Sequence, residues 1–296
     1  MTSLKDYIKE KRNSLSESSL NTYNSILRSL HKKVFGEGEI DFKNFDNTEK
    51  ILDHLKDLTS NKRKTILSAL VIITDNKKYR DQMLEDVRDY NKEISKQVKS
   101  DTQEENWVTQ EEVKKLYDTL KKSANVIYKK EHKNINDLQV IQNFIILALF
   151  TLIPPRRSMD FVNFKIKNIN KETNNFMEKG KFIFNSYKTA KTYGQQIVNI
   201  PKELSSIINK WISVNPTEFL LFDNNFNQLS SVKLNQRFNK LFDGKKIAIN
   251  ALRHSYLTEK YADDNIEMNN IKKNINNDMT KMGSSSDMAE TYIKIN

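Results

Sequence analysis

The sequence predicts a mainly α-helical protein in two parts, with a small antiparallel β-sheet in the second. Three observations lead there. Apolar residues recur at spacings of three and four through most of the chain, the period of a helix with one buried face. Only two short stretches, around Phe182 and around Val198, read as strands. Residues 100–106 are polar and aperiodic, and are read as a linker between a helical domain at 1–99 and a second domain at 107–296. At 296 residues, each part can bury a core of its own.

The elements follow in order. Ser14 to Glu17 supply capping residues for a helix whose apolar face is Leu20, Tyr23, Leu27, Leu30 and Val34, ended by Gly36 and Gly38. Asp46 with Glu49 predicts a capping box for a short helix carrying Ile51, Leu52, Leu55 and Leu58. Ser60 or Asn61 caps the next, with Ile66, Leu67, Leu70 and Ile73 inside. Its first turn holds Lys62, Arg63 and Lys64. Cations are unfavourable at a helix N-terminus, so three together point to a phosphate partner, against the plainer reading of a solvated face. A helix over 79–98 completes this domain.

In the second domain, Thr109 with Glu112 predicts a capping box before Val113, Leu116, Tyr117 and Leu120. A buried helix over 140–151 stops at Pro154-Pro155. Strands at 181–184 and 196–200 flank residues 188–194. Pro201 opens a helix with Leu204, Ile207, Ile208 and Trp211, and Ser230-Ser231 caps one with Leu234, Phe238 and Leu241. Helices are expected at 249–261, 266–275 and 286–293.

The formal net charge of +11 points to a polyanion, nucleic acid before a membrane surface. There is no cysteine, hence no disulfide framework, zinc knuckle or thiol nucleophile. The first residues lack a signal-peptide core, and the apolar run at 144–153 falls short of the roughly 20 residues that span a bilayer. No Gly-rich phosphate loop exists among the six glycines, so nucleotide hydrolysis is not expected. The four histidines are scattered, and no acidic group has metal-ligand spacing. An intracellular protein without metal, cofactor, nucleotide or membrane partner is the expectation.

Four groups stand in an order that carries chemistry: Pro154-Pro155-Arg156-Arg157-Ser158-Met159-Asp160, Ser186-Tyr187-Lys188-Thr189, Asn250-Ala251-Leu252-Arg253-His254, and Tyr292 near the terminus. Phosphodiester cleavage needs a nucleophile, neutralisation of the non-bridging oxygens and a proton for the departing 5′ oxygen. A tyrosine phenol can attack, two arginine forks can clamp the phosphate, and a lysine can give the proton.

That order resembles the tyrosine recombinase (phage-type integrase) family, over residues 107–296. The resemblance implies Arg157 as the first catalytic arginine, three residues before the acid Asp160, with Arg156 as the rival one residue earlier. It implies Lys188 as the hairpin lysine, with Lys191 as backup and DNA neighbour, Arg253 as the second arginine with His254 beside the DNA, and Tyr292 as the nucleophile. Two family positions depart: Asn250 stands for a histidine, and Ser284 for a histidine or tryptophan. The implied fold is a two-domain clamp, an all-α core-binding domain plus an α+β catalytic domain, gripping duplex DNA. The implied activity is strand exchange through a 3′-phosphotyrosyl intermediate, by a homotetramer on DNA that is monomeric off it. Integration of a virus or mobile element is the expected use, in the host nucleus or cytoplasm. A type IB topoisomerase-like enzyme and a non-catalytic DNA-binding relative are the alternatives.

Overall fold

The computed structural model describes residues 3–282. The chain divides into two compact units, Met1–Lys99 and Ser100–Asn296. No described helix is long and apolar enough to cross a membrane.

The first unit is all helical: α1 (Leu4–Lys11), α2 (Glu17–Phe35), a 3-10 turn (Phe42–Asp46), α3 (Thr48–Leu55), α4 (Ser60–Thr74) and α5 (Lys77–Ile94). Ser16 caps α2 by accepting from Ser19 N–H. Asn47, one residue past the expected Asp46, caps α3 by accepting from Lys50 N–H. Thr59 stands at the N-cap of α4 without a side-chain bond, so neither Ser60 nor Asn61 does that work. The core gathers Leu4, Ile8, Leu27, Phe45, Ile51, Leu67 and Tyr79. Tyr79 gives its hydroxyl to the Phe45 carbonyl at 2.8 Å. The α5 stripe leaves the core before its end, since Ile94 and Val98 are exposed.

The second unit begins where a linker was expected. Residues 101–105 form α6 (Asp101–Glu105), and Ser100 with Gln103 makes a reciprocal capping box. Then come α7 (Gln110–Tyr128), α8 (Ile135–Thr151), α9 (Ser158–Val162), β1 (Phe176–Glu178), β2 (Lys181–Phe184), α10 (Ala190–Tyr193), β3 (Gln196–Asn199), α11 (Lys202–Val214), α12 (Ser231–Leu241) and α13 (Ile249–Lys281). Thr109 and Glu112 form the expected box on α7. α8 is buried without a break from Phe144 to Phe150, which is why its sequence has no polar face there.

The sheet is antiparallel in the order β1-β2-β3. Glu178 pairs with Lys181, so Lys179-Gly180 is a two-residue hairpin loop. Both loop residues have positive φ, 50° and 72°, as the turn matched to strand twist demands. Phe182 and Phe184 share one face of β2 and meet Phe161 and Phe164 edge-on, with Phe150 bridging from Phe161 to Phe238. Each such ring removed from water contributes about 1.5–3 kcal/mol. This aromatic core fixes α8, α9 and the hairpin to one another, and these elements carry the site.

Candidate active site

α8 runs into Pro154-Pro155, where the missing N–H groups end the helix. The chain turns and sets Arg157 at the N-cap position of α9. Arg253 stands in the first turns of α13, next to the buried anchors Ile249, Leu252 and Ser255. Ser255 Oγ accepts from Gln110 Nε2 at 3.0 Å, tying this end of α13 to α7. Arg157 and Arg253 line one cleft of about 410 Å³, with Pro155, Arg156, Asp160, Tyr187, Thr189, Tyr193 and Gln196 among its walls. Both arginines are half-buried, and neither has a hydrogen-bond or ion-pair partner among the described residues. A guanidinium withdrawn from water and left unpaired is costly. Two guanidinium forks on one cleft wall can receive an anion with two oxygens to offer.

Asp160 is the buried carboxylate in the wall of this cleft. It is 3% exposed. Burial pushes its carboxyl above the ordinary value; the charges of Arg156, then Arg157 and Arg253, pull it back without cancelling the burial. Its Oδ2 accepts from Arg156 Nε at 2.8 Å, while Oδ1 has no hydrogen-bond partner among the described residues. Arg156 also donates from Nη2 to Gln196 Oε1 at 2.9 Å and lies 3.9 Å above the centre of the Phe184 ring. Of the two adjacent arginines, Arg156 is bonded inward and Arg157 has no such partner among the described residues.

The hairpin side of the site is pinned by Asn175, which is fully buried. Its Nδ2 donates to the carbonyls of Asp160 and Ser186, and its Oδ1 accepts from the N–H groups of Asn185 and Ser186. Ser186 leads directly into Tyr187-Lys188, so one side chain ties α9 to the base of the lysine turn. Tyr187 closes that turn by donating its hydroxyl to the Gly194 carbonyl at 2.7 Å. Lys188 itself is exposed between two residues that line the cleft, Tyr187 and Thr189. Lys191 on α10, and Asn250 and His254 on α13, are exposed as well. Ser284 and Tyr292 lie outside the described residues.

The basic triplet of α4 divides. Lys62 is exposed. Arg63 turns inward: Nε reaches both oxygens of Asp86 at 3.0 and 2.9 Å, Nη2 reaches Oδ1 at 2.6 Å, and Nη1 reaches the Lys56 carbonyl at 2.9 Å. Asp86 is fully buried, so Arg63 neutralises an internal carboxylate; its fork is not free for a phosphate, contrary to the sequence expectation. Lys64 sits with its ammonium 3.0 Å from the Tyr90 ring centre, and burial lowers its pKa. Asn175, Gln196 and the internal role of Arg156 escaped the sequence reading. An asparagine in an Asn-rich loop and a glutamine on a strand carry no local signal of what they will bond.

No family model matches the chain, and no curated protein matches it. Solved structures do resemble it. The XerA recombinase crystal structure is 12% identical over 86% of this chain and 81% of that one, with a TM-score of 0.37. A lambda integrase dimer bound to a COC′ core site is 13% identical over 87% and 90%, with a TM-score of 0.46. The XerH site-specific recombinase bound to its difH substrate, in a pre-cleavage complex, is 13% identical over 88% and 85%, with a TM-score of 0.40.

Proposed function

We propose that this chain is a site-specific DNA recombinase of the tyrosine recombinase type, acting on double-stranded DNA. The observation that carries the reading is the pair Arg157 and Arg253, half-buried and unpaired among the described residues, converging with Asp160 on one cleft. Two planar forks suit the non-bridging oxygens of a phosphodiester, and they neutralise charge as the pentacoordinate phosphorus forms. In this reading the Tyr292 phenol gives its proton to solvent as its oxygen attacks the phosphorus, a 3′-phosphotyrosyl bond forms and the bond to the 5′ oxygen breaks. Lys188, on its exposed turn, swings to give that oxygen a proton. Attack by the 5′ hydroxyl of another strand then releases the tyrosine and joins the new strand. Asn250 offers neutral hydrogen bonds where the family has histidine. A homotetramer on DNA, and integration of a viral or mobile element wherever its target DNA lies, complete the proposal.

A second reading, a DNA-binding relative that has lost cleavage, is favoured by the departures at Asn250 and Ser284. A nicked substrate that traps the covalent intermediate separates the two. The wild type is expected to give an adduct that survives denaturation, and Tyr292→Phe to give none while holding DNA equally well, because the ring is kept and only the hydroxyl is lost. An adduct that persists in Tyr292→Phe removes Tyr292 from its role. No wild-type adduct on a verified binding site leaves the binding relative as the better account.

A further inference from the structure

We infer that Arg156 is a positioning residue that locks the hairpin carrying Lys188 onto the helix start carrying Arg157. The inference rests on the reading of Lys188 as the leaving-group acid. Arg156 reaches three elements with one planar group: Asp160 on α9 through Nε at 2.8 Å, Gln196 on β3 through Nη2 at 2.9 Å, and Phe184 on β2 through its face at 3.9 Å. Its side chain is 19% exposed. Arg157 has extended backbone, with φ −72° and ψ 152°. Successive side chains diverge in such a segment, which lets Arg157 remain free while its neighbour is bonded inward.

The consequence lies in the turn between β2 and β3. Phe184 ends one strand and Gln196 begins the next, so Arg156 holds both ends of the excursion that carries Lys188. It holds them against Asp160, three residues from the free arginine. Asn175 secures the first end a second time, through Ser186; the second end is joined to the first by the β2–β3 ladder and by Gln195 Nε2 to Asn185 Oδ1 at 2.8 Å, and Gln196 with Arg156 is what ties it to Asp160. Lysine at position 156 has no flat fork and so cannot stack on Phe184 while reaching both oxygens. Loss of the lock leaves Arg157 and Arg253 able to neutralise the phosphate, but releases the hairpin from its register with them.

The test uses the full chain and two trapping substrates, one normal and one with sulfur in place of the bridging 5′ oxygen. A thiolate departs without a proton, so the sulfur substrate does not need Lys188. Arg156→Lys is expected to slow adduct formation on the oxygen substrate by about 10²-fold, within the range typical of a lost general acid, and by less than about threefold on the sulfur substrate. Arg157→Ala is expected to be slow on both. Gln196→Ala keeps the Arg156–Asp160 pair and the stack on Phe184, and removes only the bond from Arg156 to β3. It is expected to repeat the Arg156→Lys pattern at about tenfold, and it carries the test if Arg156→Lys fails to fold in a melting assay. Equal losses on the two substrates assign Arg156 to the phosphate itself and overturn the inference. No loss on either substrate, for both variants, overturns it too. Absence of any wild-type adduct on both substrates overturns the recombinase reading, and the inference with it.

Discussion

At the residue scale the same side chain does different work according to what lies opposite it. Arg63 and Arg157 both stand near helix N-termini in basic runs, and nothing local to Arg63 showed what it would bond. Asp86, twenty-three positions away, decides for Arg63. Arg63→Ala strands a fully buried carboxylate, and the expected loss is about 3–5 kcal/mol of stability, read by chemical denaturation. Lys62→Ala leaves stability alone and lowers the salt slope of DNA binding by about 0.9. A stable Arg63→Ala with weakened DNA binding would restore the phosphate role to Arg63. The chain order of Arg157, Lys188 and Arg253 was legible because spacing survives in one dimension. Asp86, Asn175 and Gln196 were not, because their partners are distant in sequence.

At the element scale, caps and apolar stripes were legible wherever the signal is local. The Thr109 box, the Ser230 cap and the buried run of α8 all stand as read. β1 was missed because three residues cannot show alternation, although Lys-Gly between aromatic stretches is itself a hairpin signal. α13 was read as two helices parted near Asp263-Asp264-Asn265, yet it runs unbroken. Poor helix formers cost only about 0.7 kcal/mol each, and neither glycine nor proline stands between Gly244 and Gly283 to stop it. Gln142 shows how elements are joined. Fully buried on α8, it donates to the Phe222 carbonyl at 2.9 Å and accepts from the Phe222 N–H at 2.8 Å. Gln142→Leu keeps the volume and leaves both backbone groups unpaired. The expected loss is about 2–5 kcal/mol, measured by thermal or urea unfolding; a loss below about 1 kcal/mol would mean the segment finds other partners.

At the scale of the whole molecule, charge and length govern. A net charge of +11 predicts binding driven by counterion release. With six to ten phosphates engaged, affinity should fall about 10³–10⁵-fold between 50 and 200 mM salt; a flat profile in a filter-binding or anisotropy titration would contradict this. Length has its own consequence, and it comes from α13. At 1.5 Å per residue, the 28 steps from Arg253 to Lys281 carry the chain about 42 Å along the axis. The 11 residues from Lys281 to Tyr292 can retrace at most about 40 Å, and only if drawn out fully. With α13 unbroken, the chain has little slack between Arg253 and the proposed nucleophile Tyr292 of the same copy. In the proposed reaction the Tyr292 phenol serves either its own copy's cleft or another copy's. Mixing Arg253→Ala with Tyr292→Phe distinguishes them: each alone is expected to be inert, an adduct from the mixture requires exchange between copies, and a silent mixture means that Tyr292 serves its own copy's cleft.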